Sequence, residues 1–275
     1  MSLLFSLLRH PQGALGLVLS GLVLILAFAG PSLAPVDPET MHFANRFEAP
    51  SAQFALGTDW FGRDLLSRVM AGAQTTVLLA LLATAIATGI GALIGIVSGY
   101  LGGWVDQAIM RLVDATMAIP GLLFALLIIS ALGTSAVNAV IAIGIAFAPG
   151  MARISRSVTL QVRALDYVSA ARSRGEGALW IVLAEILPNV IAPIIVEATI
   201  RVAFAIMTLA TLSFLGLGAQ PPAPEWGLMI SEGREHMFRS PWPILVPGGA
   251  IALVSIGFNL LGDGLRDALN PKAEH

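Results

Sequence analysis

Six long apolar runs constrain this chain more than any other feature. They lie at about 13–34, 75–98, 112–133, 136–152, 189–217 and 243–263. A helix rises 1.5 Å per residue, so about 20 apolar residues cross the ~30 Å hydrocarbon core of a bilayer. In that medium each backbone N–H and C=O must be paired within the protein, which favours helices for runs of this length. The prediction is an all-α integral membrane protein with six transmembrane helices. Charged residues make up 12% of the chain, against about 25% in soluble domains. The first run could be read as a signal peptide. Its apolar core is too long for one, and Pro31 and Pro35 do not resemble a small-residue cleavage site, so it is read as a retained span. The fourth run is short. Met151 to Gln161 contains no breaker, so one helix is predicted to continue into the polar segment, kinked at Pro149-Gly150.

Composition removes several function classes. There is no cysteine, which excludes disulfides, thiolate catalysis and cysteine metal sites. The histidines His10, His42, His236 and His275 are scattered, and no metal site is predicted. The nine methionines do not cluster and read as packing filler. The net charge is −2 and no basic patch stands outside residues 153–188, so nucleic acid is not a predicted partner.

Residues 153–188 form a polar island between apolar runs, with Arg153, Arg156, Arg163, Arg172 and Arg174. Basic loops lie in the cytoplasm. With the N-terminus inside, the cytoplasmic segments carry Arg9, Arg111, the five island arginines, Arg266 and Lys272; the opposite side carries Arg46, Arg63, Arg68, Arg234 and Arg239. The bias places both termini inside. Within the island, Ser169-Ala170-Ala171 followed by Gly175 reads as a short helix ended by glycine. A second helix is predicted from about Ala178 to Ile186, with Pro188 restricting Leu187 at the start of the fifth span. Two short helices at an angle to the spans make a protruding elbow; an ordinary basic loop is the alternative.

Three divisions follow: an N-terminal span and external segment at 1–74, a core at 75–266 and a tail at 267–275. The external segments carry an amphipathic stretch, Phe61 to Met70, and a proline-rich stretch at 220–224. Trp60, Trp104, Trp226 and Trp242 fall near predicted span ends, where indole suits the headgroup level. Gly91, Gly95 and Gly99 make one helix face without side chains, suited to close helix approach. No internal repeat is visible, which gives no support to an inverted-repeat secondary transporter.

The island segment Tyr167 to Gly175, with Ile186-Leu187-Pro188-Asn189 after it, resembles the "EAA" loop of ABC importer permeases. Further stretches agree: Leu56-Gly57-Thr58-Asp59 with Gly62-Arg63-Asp64, Leu212 to Gly218, Pro224-Glu225-Trp226-Gly227, and Gly257 to Asp267. Together they are similar to the second permease subunit of dipeptide, oligopeptide and nickel importers, over residues 10–272. The resemblance implies a type I ABC importer permease fold with cytoplasmic coupling helices in a bacterial inner membrane. It implies a homologous permease as heterodimer partner, two ATPase subunits, and a periplasmic or lipid-anchored solute-binding protein. ATP and Mg2+ would sit on the ATPases, and no cofactor on this chain. The chain lacks a Gly-x-x-x-x-Gly-Lys-Ser/Thr run for holding phosphates. On the same resemblance the first span wraps the partner.

Two departures stand out. Ser169 replaces the usual acid of the loop, and Leu209 and Ala210 occupy a zone where many relatives carry a glutamate. The expected coupling surface is Arg163, Leu165, Tyr167, Val168, Ser169, Ala170, Ala171, Arg172, Gly175, Leu187 and Pro188, with Leu179 as further apolar area. Small residues there permit close approach, and Gly175 permits a turn that bulkier residues strain. On this reading Ala171→Arg uncouples transport and leaves the fold intact.

Glu197 and Arg201 lie within the fifth span at i, i+4, in the order that favours pairing. Charges inside spans usually face the interior or a water-filled path. The pair is either pore-lining or a self-neutralised pair packed on the partner; Met207 and Thr211 continue the candidate path. Asp114 is expected to be structural, capping a helix or pairing with Arg111, and Asp263, Arg266 and Asp267 to act as interfacial anchors. The competing classes are an ion-coupled secondary transporter, which predicts isolated mid-membrane acids, and an intramembrane enzyme, which needs a nucleophile–base pair.

Overall fold

The structure is a computed structural model, and it describes residues 7–8 and 11–269. Arg9, His10, Lys272, His275 and the rest of the tail beyond Leu269 lie outside the described residues. The helices are α1 (Pro11–Leu33), α2 (Leu65–Leu101), α3 (Gly103–Met117), α4 (Gly121–Leu132), α5 (Ala136–Arg163), α6 (Asp166–Ser173), α7 (Ala178–Phe214), α8 (Trp226–Arg234) and α9 (Trp242–Leu269). Helices α1, α2, α5, α7 and α9 are each long and apolar enough to span a bilayer.

The third predicted span differs from the expectation of one helix over 112–133. It is a broken pair, α3 and α4, bent by 88°. Pro120 has no N–H to donate and takes an extended conformation, φ −53° and ψ 131°. The 12 residues of α4 reach about 18 Å, so α4 alone does not cross the hydrocarbon core.

Helix α2 is longer than its apolar run. Asp64 caps it, accepting from the Ser67 N–H at 2.8 Å and the Ser67 hydroxyl at 2.6 Å. Of the stretch Phe61 to Met70, expected as external and amphipathic, the residues from Leu65 on are the first turns of this 37-residue helix, and the 74/75 division falls inside it. Helix α5 runs unbroken past Pro149 to Arg163, as its lack of breakers predicted.

Helix α7 also corrects the sequence reading. The expected stop at Pro188 is absent, and the second elbow helix and the fifth span are one element of 37 residues. The chain widens to a π-turn over Ile181–Ile186, and the Leu187 N–H reaches back to the Val182 carbonyl. Leu187 is fully helical at φ −54° and ψ −46°. The wide turn accommodates the ring and missing donor of Pro188 without ending the helix.

One face of helix α1 packs on its own subunit, while Leu15, Val18, Leu22, Ile25 and Phe28 on the rest of its surface are exposed. Its buried stripe is Gly13, Gly16, Ser20, Val23, Ala27 and Gly30. Gly13 and Gly16 lie against Gly264 and Leu260-Leu261 of α9, and Gly30 lies against the Met70 carbonyl of α2.

The tightest seam joins α2 to α5. Side chains added at Gly91, Gly95 or Gly99 would overlap Ala148 and Met151, Ala152 and Ser155, or Thr159. Lipid offers apolar groups no reason to leave it, so this contact is held by close van der Waals approach. Gly95→Leu should lower the detergent melting temperature of the subunit by several degrees, because overpacking costs about 1–3 kcal/mol or more. Gly89, with nothing within 4 Å, serves as comparison: Gly89→Leu should leave the melting temperature unchanged in the same assay.

Candidate functional site

The polar island folds as an elbow between α5 and α7. Helix α6 ends at Gly175, whose φ of +82° is the left-handed conformation that glycine alone adopts freely. The Glu176 N–H closes the turn onto the Ala171 carbonyl at 3.2 Å. Val168 and Ala171 are fully buried, in a cluster with Ile96, Met151, Ile181 and Ile186. These two residues were expected on the outer contact surface. They point inward because alternate faces of an eight-residue amphipathic helix cannot both be wet. Ala171→Arg would bury a charge and break the elbow itself.

Other island residues form the outer surface. Leu165 is 46% exposed, Tyr167 38%, Leu179 72% and Trp180 43%. Ser169, Ala170 and Pro188 are exposed beside them, and Leu187 is half-buried. Trp180 escaped the sequence reading because it precedes the motif's Leu-Pro; its position two residues after a helix start was the available signal. The arginines tie the elbow to α2. Arg163 donates to the Gly99 carbonyl at 3.0 Å, and Arg172 lies 5.2 Å over the Tyr100 ring.

Helix α3 is clamped to α5 near the same end. Asp106 takes two hydrogen bonds from Arg156, each 2.5 Å, and a third from the Ser98 hydroxyl. Asp114 pairs with Arg153 at 2.6 Å, not with Arg111 as expected. Asp106 was missed; an acid in the first turn after Gly102-Gly103 is the signal that marks it.

A cleft of about 740 Å³ opens between α5, α7 and α9. Ile154 and Gln161, Asn189 and Glu197, and Arg266 line it. Arg266 therefore stands at the cleft, while Asp263 and Asp267 are exposed. Glu197 accepts an ion pair from Arg201 at 2.9 Å, as the i, i+4 spacing predicted, and both are mostly buried. The Arg201 guanidinium lies against Gly150. Met207 is exposed and Thr211 half-buried further along α7. Glu197, Arg201, Phe204, Thr208 and Thr211 share one side of the helix by their spacing.

The far end holds α8 by its start. Glu225 is fully buried and accepts from the Gly227 and Leu228 N–H groups at 3.0 and 2.9 Å. Burial pushes its carboxyl above the usual range, and those two N–H groups pull it back. Trp226 is 2% exposed and donates to the Val69 carbonyl at 3.0 Å. It is a core residue here, not the headgroup anchor its position suggested; Trp104 is exposed. Gly227 packs directly on the Ala210 backbone, which leaves no room for a side chain at 227. Glu225→Ala should cost about 1–3 kcal/mol through the lost cap and unpaired donors. Glu225→Gln keeps an acceptor in a site that already disfavours charge, and should cost clearly less in thermal unfolding. Equal losses for both variants would contradict this account of the cap.

Residues 91–275 match the family described as binding-protein-dependent transport system inner membrane component. The dipeptide transport system permease protein DppC of Alkalihalophilus pseudofirmus is 40% identical over 264 residues, 96% of this chain and 87% of that protein. The di/tripeptide permease DppC of Pseudomonas aeruginosa is 41% identical over 97% of this chain and 90% of its own length. The glutathione transport system permease protein GsiD of Pectobacterium atrosepticum is 40% identical over 96% and 88%. Among solved structures, a chain of the inward-facing MetNI methionine ABC transporter superposes with a TM-score of 0.60 at 18% identity, covering 75% of this chain and 97% of that one. That likeness shows the type I ABC importer permease fold. The matched length and these identities set aside the ion-coupled transporter, and the chain belongs to the inner membrane components of binding-protein-dependent ABC importers.

Proposed function

We propose that this chain forms half of the translocation path for peptides or a related small solute such as a nickel chelate or opine. Its named relatives, permeases for dipeptides and glutathione, support the substrate class. The other half is a homologous permease, in a heterodimer set in the bacterial inner membrane with both termini in the cytoplasm. A periplasmic or lipid-anchored solute-binding protein docks on the far side. Two ATPase subunits grip the elbow from the cytoplasm, and ATP and Mg2+ belong to them.

The observation that carries this reading is the two-sided elbow. Val168 and Ala171 are sunk into the subunit's own cluster, while Leu165, Tyr167, Leu179 and Trp180 leave apolar area in water. An exposed apolar patch rimmed by arginines is the mark of a protein contact. A rigid knuckle of this kind transmits a push to α5 and α7, between which the cleft and the Glu197–Arg201 pair lie. Two-state rocking of those helices opens the cleft to one side at a time.

In the reconstituted complex, Tyr167→Asp and Leu179→Asp should each abolish most of the ATPase stimulation given by loaded binding protein. Truncating or charging an interface anchor costs about 2 kcal/mol or more, roughly a thirtyfold loss of affinity. The melting temperature of the isolated subunit should not change. Full stimulation in both variants would overturn the coupling role of the elbow.

A further inference from the structure

The charges of Glu197 and Arg201 are not placed alike. Ile154, Val158 and Gln161 line the cleft from α5, and Asn189, Glu197 and Ile200 line it from α7. Gln161 and Asn189 stand toward the elbow. Glu197 lies eight residues beyond Asn189 along α7, about 12 Å deeper. Among the described residues it is the one acid on the cleft wall.

Arg201 stands one turn further from the elbow, and its guanidinium is withdrawn onto α5. It rests on Gly150, where an added Cβ would come within 2.8 Å of Nη2. The bare glycine makes the space that the guanidinium fills. The pair therefore sets its negative end on the cleft wall and its positive end against the neighbouring helix.

The pair is also incompletely bonded. Arg201 Nη2 meets Glu197 Oε1 at 2.9 Å, while Arg201 Nε is buried without a hydrogen-bond partner. A pair kept only for packing would close its donors, because lipid supplies no acceptor. An orphaned charged donor is costly, and so is a carboxylate held within a span. Costs of this kind mark a group that the protein uses.

We propose that Glu197 recognises the solute: its carboxylate takes a cationic group, an ammonium, as the solute passes the cleft. The inference rests on the importer reading and names the charge that its solute must carry. A peptide carries that charge at its amino end.

The chain has no cysteine, so Ile154→Cys puts a single thiol in this subunit on the wall facing Glu197. The full complex is taken in detergent without nucleotide. Two methanethiosulfonates, one bearing a trimethylammonium and one a sulfonate, are timed on this subunit, each rate divided by that with 2-mercaptoethanol. The corrected ammonium-to-sulfonate ratio should be about 10, the scale set by a carboxylate several ångströms away and partly offset by its partner. Glu197→Asp should keep most of that preference, and Glu197→Gln should bring the ratio to about 1 or below. A ratio of about 1 with Glu197 in place, which needs no variant at 197, means a self-neutralised pair and overturns the proposal. A high ratio that survives Glu197→Gln overturns it as well. Dialanine should slow labelling severalfold more than N-acetyl-dialanine, whose amino end is uncharged; equal effects, none included, also overturn it. No nucleotide is hydrolysed, so these outcomes are read apart from coupling through the elbow.

Discussion

The contact between α2 and α5 is the constraint on which the rest of the molecule hangs. Gly91, Gly95 and Gly99 bring the α2 backbone onto Ala148, Ala152 and Arg156 of α5 with no side chain between. In lipid there is no hydrophobic gain from such pairing, so only steric fit and close dispersion hold it. A seam of that kind has little tolerance. It also fixes, within a fraction of an ångström, where the ends of both helices emerge. At one end that decides where Arg163 meets Gly99 and where Arg156 meets Asp106.

The elbow inherits its rigidity from this seam. Met151 packs against Gly91 on one side and belongs to the cluster that swallows Val168 and Ala171 on the other. Arg172 over Tyr100 adds a second tie to α2. A force applied to Tyr167 or Leu179 therefore meets a stiff lever whose nearest compliant points are the π-turn at Ile181–Ile186 and the bend before Pro120. Both are places where proline removes a backbone donor, and both sit beside helices that line the cleft.

Much of this was legible in the sequence, and the gaps have physical causes. Run length and the cost of unpaired backbone in lipid fixed the helical class. The spacing of Gly91, Gly95 and Gly99 announced the seam, and Glu197–Arg201 announced its own pairing. Proline was misjudged twice. At 120 it broke an apolar run that hydropathy treated as one span, while at 188 a wide turn absorbed it. The inward and outward faces of α6 were confused because a motif gives residue types without a direction. Arg63 and Arg68 were assigned to an external segment by counting arginines, and Glu232 was not singled out; only tertiary structure brings residues some 170 positions apart together.

The central claim is that the elbow is the surface gripped by the nucleotide-hydrolysing subunits. Site-directed cross-linking tests it most directly, in the intact complex, with a photoreactive group on a cysteine introduced at Leu179 or, separately, at Phe238, which is 98% exposed at the opposite end. The account predicts adducts with an ATPase subunit from position 179 and none from position 238. Adducts from 238 with the ATPase, and none from 179, would contradict it.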